Sequence, residues 1–218
     1  MQEQREAGNL HDSQDGTGFF LTGDFRPKPK PAPEPDDSAA AFQELEKQAE
    51  AGVQIVTAPD LFPTPPPLAA RMVELAEIEP EHRALEPSAG TGNLLKAIGP
   101  SPDKVAVEIN PGLVELLARA GFSGLHIHQG DFLECNGEIG AFDRIVMNPP
   151  FSKGVDIKHI RHALDHLRPG GVLVALCANG SRQRNALQPL ADLWEDLPPG
   201  SFKEAGTGVN VALLVIRH

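Results

Sequence analysis

The chain has 218 residues, 40% of them hydrophobic, which suits one domain of about 150 to 160 residues with material left over. Its two cysteines, Cys135 and Cys177, have no paired spacing and exclude a disulfide scaffold, and neither a leader pattern nor an apolar run of about 18 residues marks a secreted or membrane protein. A formal charge of −11 does not advertise a nucleic-acid binder, and the expectation is a cytoplasmic protein with no membrane contact.

Residues 1–60 hold 12 acidic and 5 basic side chains, so most of the excess charge lies there. The first 37 residues show little apolar periodicity and end in RPKPKPAPEPDD, where alternating prolines favour an extended chain; they read as a disordered Pro-rich tail. Ser38 caps a short Ala/Glu/Gln-rich helix to about Ala51, making residues 38–60 a helix and connector. Residues 61–218 read as one folded domain, entered through LFPTPPP and a helix from about Pro67 to Ile78.

From Arg83 onward strands and helices alternate. Strands are expected at Arg83–Glu86, Lys104–Ile109, Leu125–Gln129, Arg144–Met147, Val172–Cys177, Ser201–Ala205 and Val209–Ile216. Helices fit Asn93–Ile98, Pro111–Ala120, Val155–Leu167 and Ser181–Glu195. The pattern implies a doubly wound α/β fold with a seven-stranded, mostly parallel sheet. Residues 205–208 can only turn the chain back, so the last strand should run antiparallel.

Strand ends carry the chemistry in such folds. The first strand opens into LEPSAGTGNLL, where Gly90 and Gly92 let the backbone approach a ligand and a helix beginning near Asn93 turns its N-terminus toward it. Leu95 stands where a dinucleotide fingerprint needs a third glycine, and the Gly-Lys-Ser/Thr of a phosphate loop is missing. Glu108 ends the second strand, where a carboxylate can accept both hydroxyls of a ribose. Asp131 ends the third and can receive the exocyclic amine of an adenine, with Phe132 and Ile109 as apolar faces for the ring. The fourth strand ends in RIVMNPPF, and Pro149 and Pro150 stiffen the chain where Asn148 emerges.

Taken together, these motifs resemble class I S-adenosylmethionine-dependent methyltransferases, within them the amino-methylating group that carries Asn-Pro-Pro-aromatic, and the likeness spans roughly Asp60 to His218. The order, Phe-x-Thr-Pro first and Asn-Pro-Pro-Phe later, is similar to that of many DNA adenine-N6 methyltransferases, and GTGVNVALLVI at Gly206–Ile216 resembles the end of the compact phage and prophage type. The resemblance implies S-adenosylmethionine as cofactor and 61–218 as the catalytic domain. It assigns the methionine-binding loop to Glu86, Pro87, Ala89, Gly90 and Gly92, the ribose to Glu108, the adenine to Asp131 and Phe132, and a preceding cofactor segment to Phe62 and Thr64. Asn148, Pro149, Pro150 and Phe151 would be the catalytic tetrapeptide.

The chemistry suits that assignment. An aromatic exocyclic amine is a weak nucleophile because its lone pair is delocalised. Acceptors at the Asn148 side chain and the Pro149 carbonyl would localise it, and Phe151 would stack on the base.

His159, His162 and His166 recur near one helix face, yet no carboxylate or cysteine joins them at ligand spacing, so they read as a half-exposed face and no metal is expected. Lys153, Lys158, Arg161, Arg168, Arg182 and Arg184 face only Asp156 and Asp165, which makes either a solvated surface or a phosphate-contacting rim. No target-recognition region of many tens of residues is present. Specificity would come from short loops, the tail or a partner chain. DNA is the favoured substrate, with adenine N6 or guanine N2 in structured RNA, a protein glutamine, or an inactive cofactor-binding subunit as alternatives.

Overall fold

Apolar runs at residues 105–107, 145–147, 172–177 and 211–216 have no polar face to offer water, and each becomes a strand covered on both sides. The structure, a computed structural model, describes residues 62–100, 103–202 and 208–218 and the backbone of Leu10–Asp12 and Phe19–Leu21. The chain divides into two units, residues 1–36 and 37–218.

In the first unit, β1 (Leu10–Asp12) pairs antiparallel with β2 (Phe19–Leu21), Leu10 opposite Leu21. The sequence reading placed these six residues in a disordered tail. In the structure their backbones pair as a short ladder instead. The helix expected after Ser38 lies outside the described residues.

The second unit begins with α1 (Pro66–Ala76), whose prolines occupy the first turn, where no backbone donor is needed. It continues with β3 (Arg83–Glu86), α2 (Asn93–Ile98), β4 (Asp103–Glu108), α3 (Pro111–Arg119), β5 (Leu125–Gln129), β6 (Phe142–Met147), α4 (Val155–Asp165) and β7 (Leu167–Ala178). The last elements are α5 (Ser181–Leu187), β8 (Leu193–Asp196) and β9 (Val211–Arg217). Strand order is β5-β4-β3-β6-β7-β9-β8. The pairs from β5 through β7 are parallel, and β9 runs antiparallel to both β7 and β8, the orientation expected of the last strand.

Alternation sorts the two layers. Leu173, Ala175, Cys177, Ala212, Leu214 and Ile216 face one core with Ile160 and Ala163 of α4. Val172, Val174, Leu176, Val211, Leu213 and Val215 face the other with Ala69, Met72 and Ala76 of α1. A one-residue slip of β9 would exchange the two sets, so packing fixes its register.

One element was misplaced by the sequence. The expected strand Ser201–Ala205 is not a strand at Ser201 and Phe202, which form a turn, and residues 203–207 lie outside the described residues. The edge strand is β8, inside the span expected to be the end of a helix running to Glu195. The physical reason is Pro189. It follows α5 in a short 3-10 turn, Gln188–Leu190, and frees Leu193 and Trp194 to pair along β9.

Candidate functional site

The strand order reverses at β3, with β4 and β5 on one side and β6 and β7 on the other, and a cavity of about 400 Å3 opens beyond the carboxyl ends of β3, β4 and β6. Phe62, Thr64, Glu86, Pro87, Ala89, Gly90, Glu108, Ile109, Asp131, Phe132, Asn148 and Pro150 all line it. Gly92, Pro149 and Phe151 do not.

The glycine loop is built around Glu108. Gly90 adopts φ 53° and donates its N–H to Glu108 Oε2 at 2.8 Å, while the Asn110 N–H donates to Oε1 at 2.8 Å. Each oxygen keeps a further lone pair for a hydroxyl. Gly92 serves packing: at φ +80° it begins α2, and a Cβ there would lie 2.9 Å from Leu117 Cδ2.

Glu86 is 2% exposed and its Oε2 has no hydrogen-bond partner among the described residues. Burial pushes its carboxyl well above the usual carboxylate range; the Leu95 N–H works against this and the charge of Glu108 adds to it. A buried orphan acceptor on a cavity wall matches an incoming cationic N–H donor.

Asn148 is pinned by the entry segment. Its Nδ2 donates to the Phe62 carbonyl at 2.8 Å and to Thr64 Oγ1 at 3.1 Å. A carbonyl can only accept, which fixes the amide's orientation and leaves Oδ1 as the acceptor for a further donor. Asn93 Nδ2 holds the Thr64 carbonyl at 2.9 Å, tying the same segment to the glycine loop. Asn93 was not singled out from the sequence as a site residue, because its partner lies 29 positions away.

Asp131 caps the turn Phe132–Glu134 by accepting the Leu133 N–H at 2.9 Å. Phe132 is 2% exposed, and Ile109, 65% exposed, stands at the cavity rim. The histidines are not a half-exposed face. His159 and His166 are buried, and the rings of His159, His162 and His166 surround Phe132 at 5.7, 4.8 and 5.8 Å between centroids. His159 also lines the cavity, with Nδ1 3.4 Å from Ser88 Oγ. Burial lowers its pKa to about 4, against the pull of Asp131 and with the push of His162. The i, i+3, i+7 spacing was the signal for this cluster, and its meaning is apolar packing around a phenylalanine.

Phe151 is 7% exposed, stacked on Phe62 at 6.4 Å and edge-on to Phe202 at 6.1 Å. The basic rim is narrower than its sequence count. Arg168 pairs with Asp143 at 2.7 Å, Arg184 with Asp196 at 2.6 Å, and Arg161 donates to the Ala186 carbonyl. Lys153, Lys158 and Arg182 remain exposed.

Comparison with known proteins places the chain in a family. The description "Methyltransferase small domain" matches residues 79–195, more than half of the chain. A "probable ribosomal RNA small subunit methyltransferase A" of Methanosarcina mazei is 36% identical over 97 residues, which are 42% of this chain and 35% of that protein. The chain thus spans about a third of the length of the curated relatives it matches. TrmN from Thermus thermophilus superposes with a TM-score of 0.59 at 24% identity, covering 70% of this chain and 48% of the other. An RNA methyltransferase from Salinibacter ruber in complex with S-adenosyl-L-homocysteine gives 0.52 at 22% identity, covering 71% and 92%.

Proposed function

Because the chain belongs to the methyltransferase small-domain family, we propose that it methylates an exocyclic amino nitrogen of a nucleic-acid base, adenine N6 first. The cofactor is S-adenosylmethionine, which when bound supplies an electrophilic methyl group. The cavity residues fit it: Glu86 offers an unpartnered acceptor for an ammonium, Glu108 two oxygens for ribose hydroxyls, and Asp131 a carboxylate for an exocyclic amine between Phe132 and Ile109.

The observation that carries the reading is the pinned amide of Asn148. With both N–H groups engaged by Phe62 and Thr64, Oδ1 is preset to accept from a substrate amine at the cavity wall. Together with the carbonyl of Pro149 it would draw the amine nitrogen toward tetrahedral geometry and localise its lone pair. No strong general base is needed, since the departing proton becomes acidic only as nitrogen gains charge. Phe151, buried between Phe62 and Phe202, supports the loop from behind. Base stacking there would require its ring to move.

For the nucleic acid, the order of motifs favours DNA, whereas the relatives named for ribosomal RNA methylation favour RNA. We place structured RNA first and DNA second. A partner chain would add to target recognition. Incubation with labelled S-adenosylmethionine and, in parallel, ribosomal RNA, duplex DNA and a glutamine-containing peptide tests this. N6-methyladenosine in the RNA hydrolysate is expected. Label in the peptide alone would overturn the reading.

A further inference from the structure

We propose that His128, Cys135 and Glu138 form a binding site for a single zinc-class divalent cation. One nitrogen, one sulfur and one carboxylate oxygen from these side chains lie within 4.8 Å of one another. They come from three points on one loop: the end of β5, the residue closing the 3-10 turn, and the tight Asn136–Glu138 bend.

Cys135 and Glu138 are held in place by local bonds and by α4. The Cys135 N–H donates to the Phe132 carbonyl at 3.1 Å, and the Cys135 carbonyl accepts from His162 Nε2 at 2.7 Å. The Asn136 N–H donates to Glu138 Oε2 at 2.8 Å, and Asn136 Nδ2 closes the bend on the Glu134 carbonyl. Such support from surrounding hydrogen bonds is what a metal-ligand set needs.

The donor set selects the ion. A thiolate and an imidazole suit zinc and its neighbours, whereas calcium and magnesium require all-oxygen cages. Three protein ligands leave a fourth tetrahedral position for water. Cys135 is 1% exposed and Glu138 exposed, so the thiol forms the floor and the carboxylate the solvent side. Binding replaces the S–H bond by an S–metal bond, and the thiol proton leaves to solvent. His166 is not a ligand, because both of its ring nitrogens already meet carbonyls, those of Gly140 and Cys135.

The test uses Co2+ and Zn2+ alone on reduced, tag-free, full-length protein, and so does not depend on the proposed reaction. One Co2+ per chain should produce a sulfur-to-cobalt charge-transfer band, removed by Zn2+. Cys135→Ser should abolish the band, and His128→Gln and Glu138→Gln should each weaken binding about tenfold or more. His126→Gln, whose exposed ring lies beside Asp103, should change nothing. Should Cys135→Ser fail to fold, the other two variants still decide, since their positions are less buried. Absence of the band in the wild type, its persistence in Cys135→Ser, or wild-type affinity in both glutamine variants overturns the proposal.

Discussion

In the proposed reaction Asn148 couples the entry segment to the substrate amine, and its substitutions separate the two roles. Asn148→Ala should lower turnover about 100- to 1000-fold, the usual loss when an acceptor that strengthens in the transition state is removed. Asn148→Asp keeps an acceptor but turns a carboxylate oxygen toward the Phe62 carbonyl, 2.8 Å from the present donor. It should therefore also weaken cofactor affinity in calorimetry, through displacement of Phe62 and Thr64. Full turnover in the alanine variant would remove Asn148 from the mechanism. Glu86 gives a second test. Its folded-state pKa is raised, so the native protein binds the proton more tightly, and the stability it contributes is present at low pH and lost as pH rises through the folded value. Glu86→Gln should gain melting temperature over the wild type as pH goes from about 4 to 8 while cofactor affinity falls about 10- to 100-fold. A constant melting difference across that range would contradict the assignment. Single residues of this kind were legible because each acid or amide stands directly after an apolar run. Phe151 was not, because its neighbours Phe62 and Phe202 come from segments far away in the chain.

Elements were legible where they are buried on both faces and poorly legible at the edge. The continuous apolar runs of β4, β6, β7 and β9 announced themselves, whereas β8, half-buried and following Pro189, was hidden behind a helical pattern. Where β7 leaves its Pro169–Gly170 bend the backbone is crowded: a Cβ at Gly171 would meet the Arg168 carbonyl at 2.8 Å and Leu167 Cδ1 at 2.7 Å. Gly171→Ala should cost about 1–3 kcal/mol in urea unfolding, with an unchanged slope. The turn after Phe151 offers a test of substrate binding. Gly154 has no Cβ, and the Arg182 guanidinium passes 3.1 Å from where one would be, which brings Arg182 beside the turn that carries Lys153. If these two cations contact phosphates, removing both should weaken nucleic-acid binding and reduce the magnitude of the salt slope by about 2. An unchanged slope would assign them to solvent.

At the scale of the whole molecule, 18 acidic against 14 basic residues over 61–218 leave little long-range attraction for a polyanion, so binding should depend on local cations and on the shape of the cavity mouth. The fold class was readable because alternation of strand and helix leaves few arrangements. The strand order was not, since nothing local states that β9 enters between β7 and β8. That insertion governs the order of assembly. During synthesis β8 emerges before β9, yet it cannot reach β7, whose hydrogen-bonding edge is reserved for a later segment. A growing chain must therefore keep two unpaired, apolar strand edges waiting until residues 211–217 arrive, and such edges invite pairing with a neighbouring chain. A chain ended at Asn210 should collect in the insoluble fraction. Supplying residues 209–218 as a separate peptide during refolding should recover soluble protein, and soluble, cooperatively melting protein without that peptide would show that the gap closes some other way.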